Sequence, residues 1–252
     1  MKHVRNLTQI GLLSVAFLGG LIEAATSQPA AAQPPATAPA GEKQPAPQER
    51  VAAVKKSFAE SQARLRRYQW IETTAVSLKG EEKSNTQNQC YYGAEGKIQK
   101  VAINPPEEDK PGHGIRGKIK EKKKAELTGY LKSAVALVHE YLPPNPEDLQ
   151  KAVAAGKATI HVIEPGKRAA LEFADYHKPG DAFSVEIDLA TNAVLGIAIT
   201  SWLEDAKDVV TLNVKFGNLA DGTIYTSETV LEGEAQHIKV AVVNSGYRVA
   251  AP

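Results

Sequence analysis

FSVEIDLATNAVLGIAITSWLEDAKDVVTLNVKF, residues 183–216, alternates apolar and polar side chains in three successive runs, with a turn signal between each. Phe183, Val185, Ile187 and Leu189 stand at every second position against Ser184, Glu186 and Asp188. Leu195, Ile197 and Ile199 repeat the period, and Val210, Leu212, Val214 and Phe216 repeat it again. A period of two puts each apolar set on one face of a pleated strand. Ala190-Thr191-Asn192, residues 204–208 and the Asp221-Gly222 stretch supply turns, before Ile238, Val240 and Val242 resume the pattern. Residues 182–249 therefore read as an antiparallel meander with one apolar face, which a second layer must cover.

The upstream chain supplies that layer. Val51, Val54, Phe58 and Leu65 recur at spacings of three, four and seven, the stripe of an amphipathic helix. Tyr68, Trp70, Thr74, Val76 and Leu78 then alternate as a strand, Lys79-Gly80 turns into an unusually polar strand up to Tyr92, and Gly93 and Gly96 turn again into residues 98–103. Residues 104–117 have no period. A long helix follows from about Arg116 to Leu142, where Pro143-Pro144 stops it. Asn145, Pro146, Glu147 and Asp148 give the next helix a cap, a first-turn proline and two acids at its positive end, and Gly156 closes it. A hairpin over residues 158–175 joins this to the meander. The fold class expected is α+β: a curved antiparallel half-barrel of about ten strands, covered on one face by an N-terminal helix and two central helices.

Residues 1–25 have the parts of an export signal, with Lys2 and Arg5 at the start, an uncharged stretch from Leu7 to Ile22 and small residues at 24 and 25. Thr8, Gln9, Gly11, Gly19 and Gly20 interrupt that stretch too often for a membrane span. Residues 26–48 collapse to Ala, Pro, Gln and Thr and read as a disordered linker, which leaves residues 49–252 as a single domain. The expected location is the periplasm or cell envelope. Thirty basic against twenty-nine acidic residues leave a net charge of +1, so a chain-wide nucleic-acid footprint is excluded. A lone Cys90 makes no internal disulfide and reads as a small buried hydrophobe.

Chemistry is sparsely signalled. His3, His113, His139, His161, His177 and His237 form no HxH or HExxH, and GxSxG, Walker and GxGxxG patterns are missing. No catalytic, metal or cofactor residue is therefore assigned. Two features stand above this background. Arg116, Lys118, Lys120, Lys122, Lys123 and Lys124 put six bases and one acid into nine positions near a helix start, where positive charge opposes the dipole. They suit a solvated face, or an anionic surface such as lipid headgroups or an envelope partner. The strand around residues 193–203 is apolar on both faces, and the small Gly196 and Ala198 leave volume for a close helix or a ligand.

The exported start, the amphipathic helix, the strand led by Tyr68 and Trp70, the paired central helices and the meander together resemble the LolA/LolB-like superfamily of bacterial envelope carriers. Thr191-Asn192-Ala193-Val194-Leu195, Gly217-Asn218-Leu219, Asp221-Gly222 and Val243-Asn244-Ser245-Gly246-Tyr247 carry the late part of the likeness. The resemblance implies an open half-barrel with a helical lid that binds acyl chains or other lipids without catalysis. A proline expected before the early strands is missing from Arg66-Arg67-Tyr68-Gln69-Trp70. The expectation is a monomeric, non-enzymatic carrier with an apolar ligand lined by Trp70, Val76, Leu78, Gly196, Ala198 and Trp202. The alternative is an interaction module that docks through residues 116–124.

Overall fold

The first described element is helix α1 (Pro47–Leu65), followed by β1 (Tyr68–Leu78), β2 (Glu81–Tyr92) and β3 (Ile98–Asn104). Helices α2 (Ile115–Tyr141) and α3 (Pro146–Ala154) follow. Seven strands complete it: β4 (Ala158–Glu164), β5 (Arg168–Ala174), β6 (Ala182–Asp188), β7 (Val194–Trp202), β8 (Val209–Asn218), β9 (Ile224–Gly233) and β10 (Ile238–Val249). This computed structural model describes residues 47–104, 115–191 and 193–250. The expected export signal and nearly all of the expected linker lie outside the described residues.

The ten strands form one sheet in the order β3-β2-β1-β10-β9-β8-β7-β6-β5-β4. Every neighbouring pair is antiparallel, and β3 and β4 are the two edges, so the sheet is open. This order follows from short connections. Hairpins build β1 to β3 outward, α2 and α3 carry the chain to the far edge, and the meander walks back until β10 meets β1.

One face of the sheet packs under the helices. In α2, Leu131, Ala134, Val138 and Tyr141 are spaced by three or four residues and are almost wholly buried. They meet Phe183, Ile197, Ile199, Val210, Leu212, Leu231 and Val240, the in-facing positions that the period-two pattern marks. At the other end of the sheet Phe58 of α1 packs edge-on against Phe216, and Ser61 Oγ accepts the Ile224 N–H at 3.0 Å. The α+β plan with helices on one face is as the sequence implies.

Local chemistry fixes the turns. Asn145 accepts the Glu147 N–H with its side chain at the start of α3, ahead of Pro146. At the other end Gly156 takes φ +70°, and the Lys157 and Gly156 N–H groups return to the carbonyls of Ala152 and Val153. That pair of bonds is the Schellman closure, which a left-handed glycine permits.

Gly233 has a different task. A Cβ there would lie 2.4 Å from the ring of Tyr130, whose hydroxyl donates to Asp208 at 2.7 Å. Missing volume on β9 thus lets α2 lie close. Gly233→Ala is expected to displace Tyr130 from Asp208 and cost about 1–2 kcal/mol, read as a lower urea midpoint. Tyr130→Phe should then cost less in the Gly233→Ala protein than in the wild type.

Candidate ligand-binding face

The helix-covered face changes character along its length. Over β5 to β8 it is apolar. Strand register aligns Ile197, Val185, Leu171 and Ile160 in one row across β7, β6, β5 and β4. Ile197 is buried, Val185 and Leu171 are half-buried, and Ile160 is 73% exposed. The apolar row therefore runs out from beneath the helices into solvent, and Val162, 62% exposed, extends it along β4.

Around Glu72, at one end of β1, β2, β9 and β10, the same face turns polar. Glu72 is only 1% exposed and stands between Asn88 and Asn244 in register. Lys100 reaches over from β3 and places Nζ 2.7 Å from both carboxylate oxygens. Thr74 and Thr229 flank Val242 one row away, and neither buried hydroxyl has a hydrogen-bond partner. Cys90 lies opposite Lys100 in register and is fully buried. Burial first, and the nearby Glu72 charge second, push its thiol up to about 12. A thiol held neutral reacts slowly, because the thiolate is the nucleophile. Iodoacetamide at pH 8 is expected to leave native Cys90 unmodified and to alkylate it fully in denaturant, as a mass spectrum would show. Between pH 9 and 12 the unfolded thiol ionises while the folded one stays neutral, so this group lowers stability as pH rises through that window.

An aromatic cluster closes the end of the polar region. Trp70 stacks on Tyr247 with centroids 5.5 Å apart, and Tyr92 and Tyr225 join them. The Trp70 indole N–H donates to Asn244 Oδ1 at 3.0 Å. Opposite Trp70 the register of β10 slips at Gly246, whose φ of +63° suits a bulge and turns Tyr247 toward the indole.

A second buried knot holds the C-terminal end of α2. Asp181 is buried; Oδ1 accepts the Tyr176 N–H at 2.6 Å, and Oδ2 accepts the His177 and Lys178 N–H groups at 3.0 Å each. The Tyr141 hydroxyl donates to Oδ2 at 2.5 Å and accepts from Ser201 at 2.8 Å. Burial, then the adjoining carboxylate, raises the Tyr141 phenol well above its usual range. Every polar atom of this knot binds another protein group, so it positions the helix and offers nothing to a ligand.

The six expected lining residues divide between the two faces. Trp70, Val76 and Leu78 belong to the covered side; Trp70 sits in the aromatic cluster, and Val76 and Leu78 pack against the main core some turns away. Gly196 and Ala198 open onto the opposite face, which no described helix covers. There they floor a solvent-open groove of about 630 Å³ bordered by His161, Arg168, Glu172, Glu186 and Lys215. The Arg168–Glu186 ion pair crosses that groove at 2.5 Å, and His161 Nε2 lies 3.7 Å from a Glu172 carboxylate oxygen. Trp202 lies beyond it, with Lys178 over its ring at 4.4 Å. Among the described residues no helix occupies the volume beside Gly196.

Lys118, Lys122, Lys123 and Lys124 are exposed on the first half of α2, and Lys122 approaches Glu126 at 3.9 Å. Arg116 and Lys120 lie in the same helical stretch. The buried stripe of α2 begins only near Leu127. Sequence reading missed the Glu72–Lys100 pair. Its signal was a lone acid at an in-facing position of β1, between Trp70 and Thr74. No described helix is long and apolar enough to cross a membrane.

No protein-family model matches the chain, and no curated protein matches it. Solved structures do. A LolA superfamily protein from Nitrosomonas europaea is 7% identical, with 79% of this chain and 94% of that one covered and a TM-score of 0.34. A DUF1329 family protein from Desulfovibrio piger is 11% identical, with 79% and 93% covered and a TM-score of 0.36. An outer membrane lipoprotein-sorting protein domain from Vibrio parahaemolyticus is 11% identical, with 77% and 90% covered and a TM-score of 0.32.

Proposed function

We propose that this protein is an exported, non-enzymatic envelope carrier that holds an apolar ligand, a lipid or acyl chain, against the covered face of its sheet. One observation carries the reading: the apolar row Ile197, Val185, Leu171, Ile160 continues without a break from the core to an exposed strand. A chain laid along that row would gain about 25 cal/mol for each Å² of apolar surface it covers. Helices α2 and α3 form the lid. Among the expected residues, Trp70, Val76 and Leu78 belong to this side, whereas Gly196, Ala198 and Trp202 lie outside the ligand path. The test is a native mass spectrum of the full-length protein purified after export, followed by solvent extraction and titration of the stripped protein with a fluorescent long-chain fatty acid. Extra mass that extracts as lipid, with saturable uptake of the probe, is expected. An apo mass together with no probe uptake would overturn the reading.

The exposed lysines favour a second property, docking to an anionic surface through residues 116–124. Each lysine near an anionic bilayer contributes about 1 kcal/mol. Replacing Lys122, Lys123 and Lys124 by Gln should therefore weaken binding to phosphatidylserine-containing vesicles by about 100-fold in a sedimentation assay. Unchanged binding removes this second property and leaves the carrier reading standing.

A further inference from the structure

The register row that runs out along Ile197, Val185, Leu171 and Ile160 has a second end. Inward it continues through Val214 of β8, Thr229 of β9, Val242 of β10, Thr74 of β1 and Thr86 of β2, so one line crosses the sheet from β2 to β4. Its side chains change in kind along that line: all are apolar from β4 to β8, and three of the last four are threonine. Thr74 is 9% exposed and Thr229 1%, and among the described residues neither hydroxyl has a hydrogen-bond partner. A buried hydroxyl without a partner lowers stability. Valine has the same shape without that cost, and Val242, Val214 and Val185 stand in the same row, so packing alone does not account for the two hydroxyls. We infer that Thr74 and Thr229 seat the head of the ligand, an uncharged ester or amide whose carbonyl oxygen accepts from them, with the acyl chain laid toward Ile160. This rests on the carrier reading and adds to it a head group and a direction.

Charge selects the head. One row toward Trp70, Lys100 Nζ is 2.7 Å from both oxygens of Glu72, so that pair is neutral as a unit. A carboxylate or ammonium head would leave water beside charges already matched, whereas a carbonyl needs only the donors present. Length fits the chain. Thr229 and Ile160 stand five strands apart, about 24 Å, close to an extended acyl chain of roughly eighteen carbons at about 1.25 Å each. Position gives the path. Helix α2 sets Tyr130 against Gly233 and Tyr141 against Ser201, the register neighbours of Val210, whereas Phe58 of α1 packs on Phe216. Val210 and Phe216 are six residues apart on β8, about 20 Å and twice the roughly 8–10 Å between packed helices. The row crosses β8 at Val214, so the ligand follows the seam between the two helices. Both threonines lie beneath the helix layer, and entry requires α2 to lift, turning about its Asp181 anchor.

The experiment titrates the full-length protein, stripped of lipid, with a fluorescent long-chain fatty acid and with its methyl ester at about pH 7.5, where the acid is ionised. The wild type is expected to bind the ester at least about tenfold tighter. T74V/T229V should lose that preference and yet unfold at a higher urea concentration, since valine removes two unmet hydroxyls. T74S/T229S keeps both hydroxyls and should keep the preference. Equal binding of the two probes by the wild type overturns the inference and leaves the carrier reading intact. A preference that survives T74V/T229V overturns it too, as does a lower urea midpoint in that variant, which would make the hydroxyls structural. If neither probe binds, the carrier reading and this inference fall together.

Discussion

Asp181→Ala is expected to lose about 3–5 kcal/mol of folding stability, the largest effect of any single side chain outside the apolar core. The carboxylate satisfies three backbone N–H groups and one phenol, with the Tyr176 N–H and the phenol buried and the other two partly so. Alanine leaves the three N–H groups without this acceptor, the Tyr176 one buried, and turns the phenol to Ser201, and hydrogen bonds to a charged group contribute about 1.5–3 kcal/mol each before the relief from desolvating the carboxylate is subtracted. Tyr141→Phe is a useful contrast. It removes one donor and leaves the Ser201 hydroxyl short of an acceptor, so about 1–2 kcal/mol should go. Equilibrium urea unfolding distinguishes the two, with a lowered midpoint at an unchanged slope. A loss below about 1 kcal/mol for Asp181→Ala would mean that water replaces the carboxylate, contrary to the closed knot described above.

Lys100→Met should cost about 3 kcal/mol, because it strands the buried Glu72 carboxylate without its cation. The informative measurement is the cycle completed by Glu72→Leu. Removing both charges spares the desolvation of either, so the double variant is expected to recover most of the loss and to match or exceed the wild type. If it remained as unstable as Lys100→Met, the ion pair would be supporting strand geometry and not merely neutralising itself. Lys100 belongs to the edge strand β3, so the pair also ties that edge to β1 across β2.

The strands were legible because half-buried antiparallel sheets write their two faces into alternate residues, as Phe183 to Leu189 and Val210 to Phe216 show. Asn145, Pro146 and Gly156 marked α3 through local backbone chemistry alone. The ligand face was less legible. Assigning Gly196 and Ala198 to the same lining as Trp70 required knowing which side of β7 the helices cover, and alternation defines two faces without saying which is in. Glu72 escaped because its partner Lys100 lies two strands away, a distance visible only in register. Edge strands are equally hidden, since β4 and β5 have similar sequence patterns and differ in neighbours alone.

The pairing of β1 with β10 sets the order in which this chain can mature. Tyr68 finds its partner at Val249, so the sheet joins residues nearly the full domain apart. Contacts of such long separation are slow to form, because the intervening loop must close before any bond repays it. During synthesis from the N-terminus, β1 to β3 emerge first and wait, with Trp70, Val76 and Leu78 bare, until the last strand has left the ribosome. The chain is thereby kept pliable until its last strand is made, and the twelve residues of β10 act as the clasp.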